Sequence, residues 1–148
     1  MAEETGQPAL PLLLDTTVLT FLTDDRNPKP EWDAVVRGRI LVLSFVTVGE
    51  ILHGTLVARW PRKRIADIEA RLRAYPVIPG TLRVARQFAE LRRWHFNSIG
   101  DNALWIAACA LSQPTQLPIA TADSDFDEIA KRFPLSIVRA IAPAPPSA

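Results

Sequence analysis

The sequence predicts an α/β fold, a three-layer α/β/α sandwich around a mostly parallel sheet of about five strands. Two observations carry this prediction. Short continuous apolar runs recur along the chain, and longer segments of helical period separate them. A continuous apolar run suits a strand buried on both faces of a parallel sheet, where an alternating run would mark a half-solvated one. Strands that alternate with helices build crossover units, and those give a parallel sheet covered on both sides.

The first run is Leu10 to Leu14, ended by Asp15, and the second is Ile40 to Ser44. Pro76 to Pro79 is the third, and its bracketing prolines weaken it as a strand. Leu117 to Thr121 and Leu135 to Val138 are the fourth and fifth. Between them, residues 16–24 and 31–37 read as short helices, followed by 45–59. Residues 62–74 place Ile65, Ile68 and Leu72 on one stripe with arginine and lysine elsewhere, and 81–95 repeat the pattern with Val84, Phe88 and Leu91. Residues 101–112 are apolar nearly all round, which predicts a buried helix. Residues 124–132 make a last short helix. Residues 1–8 and the proline-rich tail 142–148 read as flexible ends of one domain spanning 9–141.

Composition narrows the chemistry. At 148 residues the chain has the size of a single domain that needs no disulfide or structural metal to fold. Its 17 basic and 16 acidic residues give a net charge of +1, which argues against bulk electrostatic attraction to nucleic acid or membrane. Mean hydropathy is +0.08, against long disorder. One cysteine and two histidines exclude a disulfide and any cysteine- or histidine-rich metal site. A metal would need carboxylate oxygens, which points to magnesium or manganese. The acidic start lacks the form of a signal peptide, and no apolar stretch reaches the length of a membrane helix. The expectation is a soluble, cytoplasmic protein.

Sites in open parallel sheets form beyond the carboxyl ends of the strands. Asp15 follows the first strand, Glu50 lies on the opening turns after the second, and Asp123 and Asp125 follow the fourth. No lysine or arginine lies within two residues of any of them. Like charges gathered on one edge repel and are costly to desolvate, and a divalent cation relieves both penalties. Such a cation activates water for in-line attack on a phosphodiester. Helix capping is the alternative for Asp15, Asp123 and Asp125, but not for Glu50, which sits inside an apolar helix.

Four segments in this order resemble PIN-domain ribonucleases of the VapC toxin type. They are Leu-Leu-Asp-Thr-Thr-Val-Leu from Leu13, Ser-Phe-Val-Thr-Val-Gly-Glu-Ile-Leu-His-Gly from Ser44, Leu-Trp-Ile-Ala-Ala-Cys-Ala-Leu from Leu104, and Leu-Pro-Ile-Ala-Thr-Ala-Asp-Ser-Asp-Phe from Leu117. The resemblance runs from about residue 12 to 141. It implies a PIN-like fold and a toxin that cleaves RNA as a Mg2+- or Mn2+-dependent endoribonuclease. It also implies a homodimer silenced by a VapB-type antitoxin. The family's acids fall on Asp15, Glu50 and Asp123, with Asp125 auxiliary. One position departs. The family reads Asn-Asp-Leu-Trp, and this chain reads Asn102-Ala103-Leu104-Trp105, so Ala103 stands where a metal-site acid belongs. The substitution is read as a weakened natural site or as the deliberate disarming of a toxic enzyme. Asp101 does not replace the acid, because two residues rotate a helix by about 200°. It is read instead as a helix-start residue closing a Ser98-x-x-Asp101 box.

The remaining polar residues have structural readings. His53, one turn after Glu50, is taken as a packed helix histidine rather than a proton relay, and His95 as surface or core trim. Cys109 is taken as a small packed thiol. Thr16, Thr17 and Thr121 either bind the acids or phosphate, or only cap. The arginines around 59–93 read chiefly as solvated helix faces, with an RNA-backbone track as the alternative. Helices 45–74 offer a groove for an antitoxin. Three rival functions are a receiver-like signalling domain, a haloacid-dehalogenase-type phosphatase, and a PIN-like protein that has lost catalysis and only binds RNA or antitoxin. The first lacks its lysine and acidic pair. The second lacks its second aspartate, since Thr17 stands there. Ala103 keeps the third open.

Overall fold

The sheet order is β3-β2-β1-β4-β5, and every pairing is parallel. The strands are β1 (Leu12–Leu14), β2 (Leu41–Ser44), β3 (Val77–Ile78), β4 (Ile119–Ala120) and β5 (Ile137–Val138). Each lies inside one of the five apolar runs. The computed structural model describes residues 10–94 and 96–141. The two ends expected to be flexible, and His95, lie outside the described residues.

Among the described residues, seven helices connect the strands: α1 (Thr16–Thr23), α2 (Pro30–Val36), α3 (Phe45–Val57), α4 (Arg62–Leu72), α5 (Leu82–Arg93), α6 (Asp101–Leu111) and α7 (Asp125–Ala130). Side-chain caps start three of them. Asp15 caps α1, Ser44 caps α3 and Thr81 caps α5, each accepting from the backbone N–H three residues on. Pro30 opens α2, where its missing N–H has no helical partner to lose.

Alternation along β1 divides the core. Leu13, with Ile119, packs under α5, α6 and α7 through Leu91, Leu104 and Ile129. Leu12 and Leu14, with Leu43 and Ala120, pack under α1 to α4 through Val18, Trp32 and Leu72. Two apolar layers on opposite faces of one sheet are the three-layer sandwich that the sequence predicts. β1 is central and buried throughout. From β1 the chain first builds outward through β2 and β3, then returns to the other side of β1 for β4 and β5. The carboxyl ends of β1 and β4 are therefore the point where the winding reverses, and a crevice opens there.

Candidate active site

Asp15 stands directly after β1 in that crevice, 4% exposed. Its position follows from the main chain: its N–H donates to the Ala120 carbonyl of β4 at 3.1 Å, and its own carbonyl accepts from Leu19 N–H at 3.1 Å. Both carboxylate oxygens are engaged. Oδ1 accepts from Val18 N–H at 2.8 Å, and Oδ2 accepts from the hydroxyl of Thr121. Helix capping and a place in the crevice thus coincide in one residue. Burial pushes the Asp15 carboxyl above its usual range. The bonds from Thr121 and Val18 pull the other way, and the charges of Asp123 and Glu50 add to the rise.

Glu50 reaches the same crevice from α3. It is half-buried, and its Oε1 accepts from Thr16 Oγ1 at 2.6 Å. Asp123 follows β4 on an exposed turn. Its N–H donates to Thr121 Oγ1 at 2.9 Å, and its Oδ1 accepts from Asp125 N–H at 2.9 Å. Asp15, Glu50, Asp123 and Ala103 line one cavity of about 150 Å³. Thr16, Thr17 and Asn102 add neutral oxygens to its wall, and Ile106 and Phe126 form its apolar side. Asp125 does not line it. That residue opens α7, and burial, Asp123 and Glu128 raise its carboxyl. Asp101 does not line it either, and its side chain is 69% exposed.

Two arginines that the sequence reading left among the solvated faces, or passed over, hold the cavity's loops. Arg92 donates to the carbonyls of Phe96 at 3.3 Å and Ile99 at 3.4 Å, and pairs with Asp101. Arg139 donates to the carbonyls of Thr121 at 3.1 Å and Asp123 at 3.0 Å, and to Asp127 Oδ2 at 2.8 Å. The first fixes the approach to α6 and Ala103. The second fixes the turn that carries Asp123. The expected Ser98-x-x-Asp101 box does not form. Gly100 is the N-cap of α6, without a side-chain cap, because Asp101 faces Arg92. His53 is exposed rather than packed. Cys109 is fully buried, with its thiol pushed up to about 12 by burial, so the structural reading holds.

Among the described residues, no three histidine, cysteine, aspartate or glutamate side chains stand close enough to share a metal ion. The donor set still fits a hard divalent cation in kind. Its groups are carboxylates, hydroxyls and an amide oxygen, and a cation would relieve the repulsion felt by Asp15. At the α6 wall of the cavity Ala103 presents a methyl group.

Comparison with known proteins agrees with this fold. The PIN domain family model matches residues 12–132. No curated protein matches the chain significantly. Among solved structures, VapBC2 from Rickettsia felis, bound to a DNA fragment from their promoter, is 15% identical, with a TM-score of 0.71 over 89% of this chain and 100% of that one. VapBC-1 from nontypeable Haemophilus influenzae is 24% identical, with a TM-score of 0.71 over 88% and 98%. VapBC-5 from Mycobacterium tuberculosis, of the VapBC toxin–antitoxin family, is 28% identical, with a TM-score of 0.62 over 89% and 100%.

Proposed function

The chain belongs to the PIN-domain family, and on that premise we propose that it is the toxin of a VapC-type toxin–antitoxin pair. Its activity is Mg2+- or Mn2+-dependent endonucleolytic cleavage of RNA, impaired here by Ala103. One observation carries the reading: Asp15, Glu50 and Asp123, from three separate segments, line one cavity at the sheet's switch point with Ala103 on its wall.

When bound, the divalent cation supplies Lewis-acid polarisation of the phosphodiester and a water of lowered pKa. The chain's own groups divide the remaining work. Asp15, Glu50 and Asp123, which approach the cavity from three segments, would be the residues to close on the cation, with Asp125 supporting Asp123 through its backbone N–H. Thr16 engages Oε1 of Glu50, which would leave Oε2 free to face the cation. Thr17 and Asn102, both exposed on the wall, donate to phosphate oxygens and hold the scissile group in line. An aspartate at position 103 would complete the acid set from the first turn of α6, where the helix dipole favours negative charge.

The test is Ala103→Asp. Both forms are incubated with total RNA in Mg2+ or Mn2+, with and without chelator. We expect Ala103→Asp to gain at least about 100-fold in cleavage, a gain of about 2.7 kcal/mol in transition-state stabilisation, and the chelator to abolish it. Alanine and aspartate both suit this helix start, so the fold is unchanged. Equal cleavage by the two forms would remove position 103 from the site. Ala103 itself favours a second reading, a PIN-domain protein that binds RNA or antitoxin without cleaving. Absence of cleavage in both forms supports that one.

The partners of this reading are a VapB-type antitoxin and a second copy of the chain. The face between α3 and α4 supports the first. It carries a cavity of about 350 Å³ lined by Val48, Leu52, Leu72, Tyr75 and Val77, suited to the apolar side of a helix. Among the described residues no helix is long and apolar enough to cross a membrane, in keeping with a toxin that acts in the cytoplasm.

A further inference from the structure

A file of hydroxyl groups runs from the end of β2 to the carboxylate of Glu50. Ser44 Oγ lies 3.3 Å from Thr47 Oγ1, Thr47 Oγ1 lies 3.0 Å from Thr16 Oγ1, and Thr16 Oγ1 lies 2.6 Å from Glu50 Oε1. Ser44 and Thr47 are fully buried. Each hydroxyl has one proton to give. Thr16 gives its proton to Glu50 Oε1. Thr16 Oγ1 then accepts from Thr47, which commits the only Thr47 proton. Ser44 must therefore donate to Thr47, while its own Oγ accepts from Thr47 N–H at 3.1 Å. All three protons point the same way, toward Glu50.

We propose that Thr47 is a positioning residue for Glu50, acting through Thr16, with Ser44 fixing the direction of the file. This rests on the reading of Glu50 as a metal-site acid. The placement of the threonines supports a dedicated role. Thr20 and Thr23 on α1 turn their hydroxyls back onto the carbonyls of Thr16 and Leu19, each at 3.0 Å. Thr16 begins the helix, so no helical carbonyl lies four residues behind it, and its hydroxyl is free for the acid. On α3, Thr47 and Glu50 are three residues apart and share a face. The file thus ties the first turn of α1 to the first turns of α3, and it restricts the rotamer of a side chain that its own helix would leave mobile. Hydrogen bonds in such a file polarise one another, so loss of an inner member weakens the outermost bond.

The test compares Thr47→Val, Thr47→Ser and Thr16→Val with the parent chain. Two measurements are made: the Glu50 rotamer populations, from three-bond NMR couplings in the metal-free protein, and Mn2+ affinity by titration. Thr47→Val is expected to spread Glu50 over several rotamers and to weaken Mn2+ binding by about 10-fold, in the range usual for groups that orient a ligand. Thr47→Ser keeps the hydroxyl and should restore both. Adding Thr47→Val to Thr16→Val should change neither any further, because the inner hydroxyl acts only through the outer one. A parent-like rotamer distribution in Thr47→Val would overturn the proposal. If that variant does not fold, Thr16→Val alone decides, since parent-like couplings there would equally overturn it. A parent chain that binds no Mn2+ would instead refute the metal-site reading of Glu50, and the rotamer measurement would still judge the hydroxyl file.

Discussion

Asp15 and Glu50 face one cavity and are held there in opposite ways. Asp15 is buried, with both oxygens engaged and its backbone bonded to β4 and α1. It can move only if the sheet moves. Glu50 is half-buried in mid-helix, and what holds it is a hydroxyl from another helix. The main chain places the first acid; a file of side chains places the second. The difference has an energetic side. Fixing a carboxylate by burial makes its charge costly, and the raised carboxyl of Asp15 records that cost. Orienting one by side-chain bonds leaves it solvated and adjustable.

The largest expected effect comes from removing each charge in turn. In the Ala103→Asp background, Asp15→Asn should lower RNA cleavage by about 1000-fold, equivalent to about 4 kcal/mol in the barrier, and at the same time raise stability. Asparagine caps a helix about as well as aspartate, and it removes a buried charge that has two acidic neighbours. A gain of about 1 kcal/mol corresponds to about 2–4 °C in Tm for a chain of this size. Glu50→Gln should also reduce cleavage but leave Tm nearly unchanged. Thermal unfolding beside the RNA assay measures both, and a lower Tm for Asp15→Asn would contradict the contrast.

A smaller effect lies in pH. The folded-state pKa of Asp15 is raised, so between the ordinary aspartate value of about 3.9 and that raised value the native state holds more proton than the unfolded state. Stability from this group is therefore greatest below about 3.9, falls as pH rises through the interval, and stays low above it. The stability advantage of Asp15→Asn over the parent should vanish at low pH and grow to a plateau with rising pH. Urea unfolding across that range follows it. An advantage independent of pH would mean that something other than the charge is responsible.

The smallest effect concerns the segments that lead to Ala103 and Asp123. Arg92→Ala releases the Phe96 and Ile99 carbonyls, and Arg139→Ala releases those of Thr121 and Asp123. Each side chain is 35% exposed, so each loss should be modest, about 1 kcal/mol by urea unfolding. Amide exchange should speed up locally, around 96–101 in the first variant and 121–127 in the second. Exchange that rises uniformly over the sheet would show that these arginines support the fold rather than the loops.

The architecture was legible because β1 and its neighbours are buried on both faces, so their apolar runs are continuous and stand out from the helical periods. The positions of Asp15, Glu50 and Asp123 were legible because strand ends define the crevice. What holds these acids was not. Arg139 reaches the carbonyls of Thr121 and Asp123 across 18 and 16 residues, and no local pattern announces such a contact. The same limit explains Asp101. A box with Ser98 suited the local sequence, but Arg92, nine residues away, takes the carboxylate. His53 lies a turn beyond Glu50 but on the solvent side of α3, whose Thr55 is still buried. Asp125 follows Asp123 closely in sequence, yet the start of α7 carries it away from the cavity.

The bond between Thr121 and Asp15 closes a loop of 106 residues, and β4 can pair with β1 only after nearly the whole domain has been made. The ribosome synthesises the chain from the Asp15 end, so the crevice has one wall for most of translation. A chain cut or stalled before Thr121 carries Asp15 and Glu50 but neither the partner that locks Asp15 nor Asp123. Under the proposed RNA-cleaving reading, the order of assembly therefore withholds the complete acid set until β4 has been made.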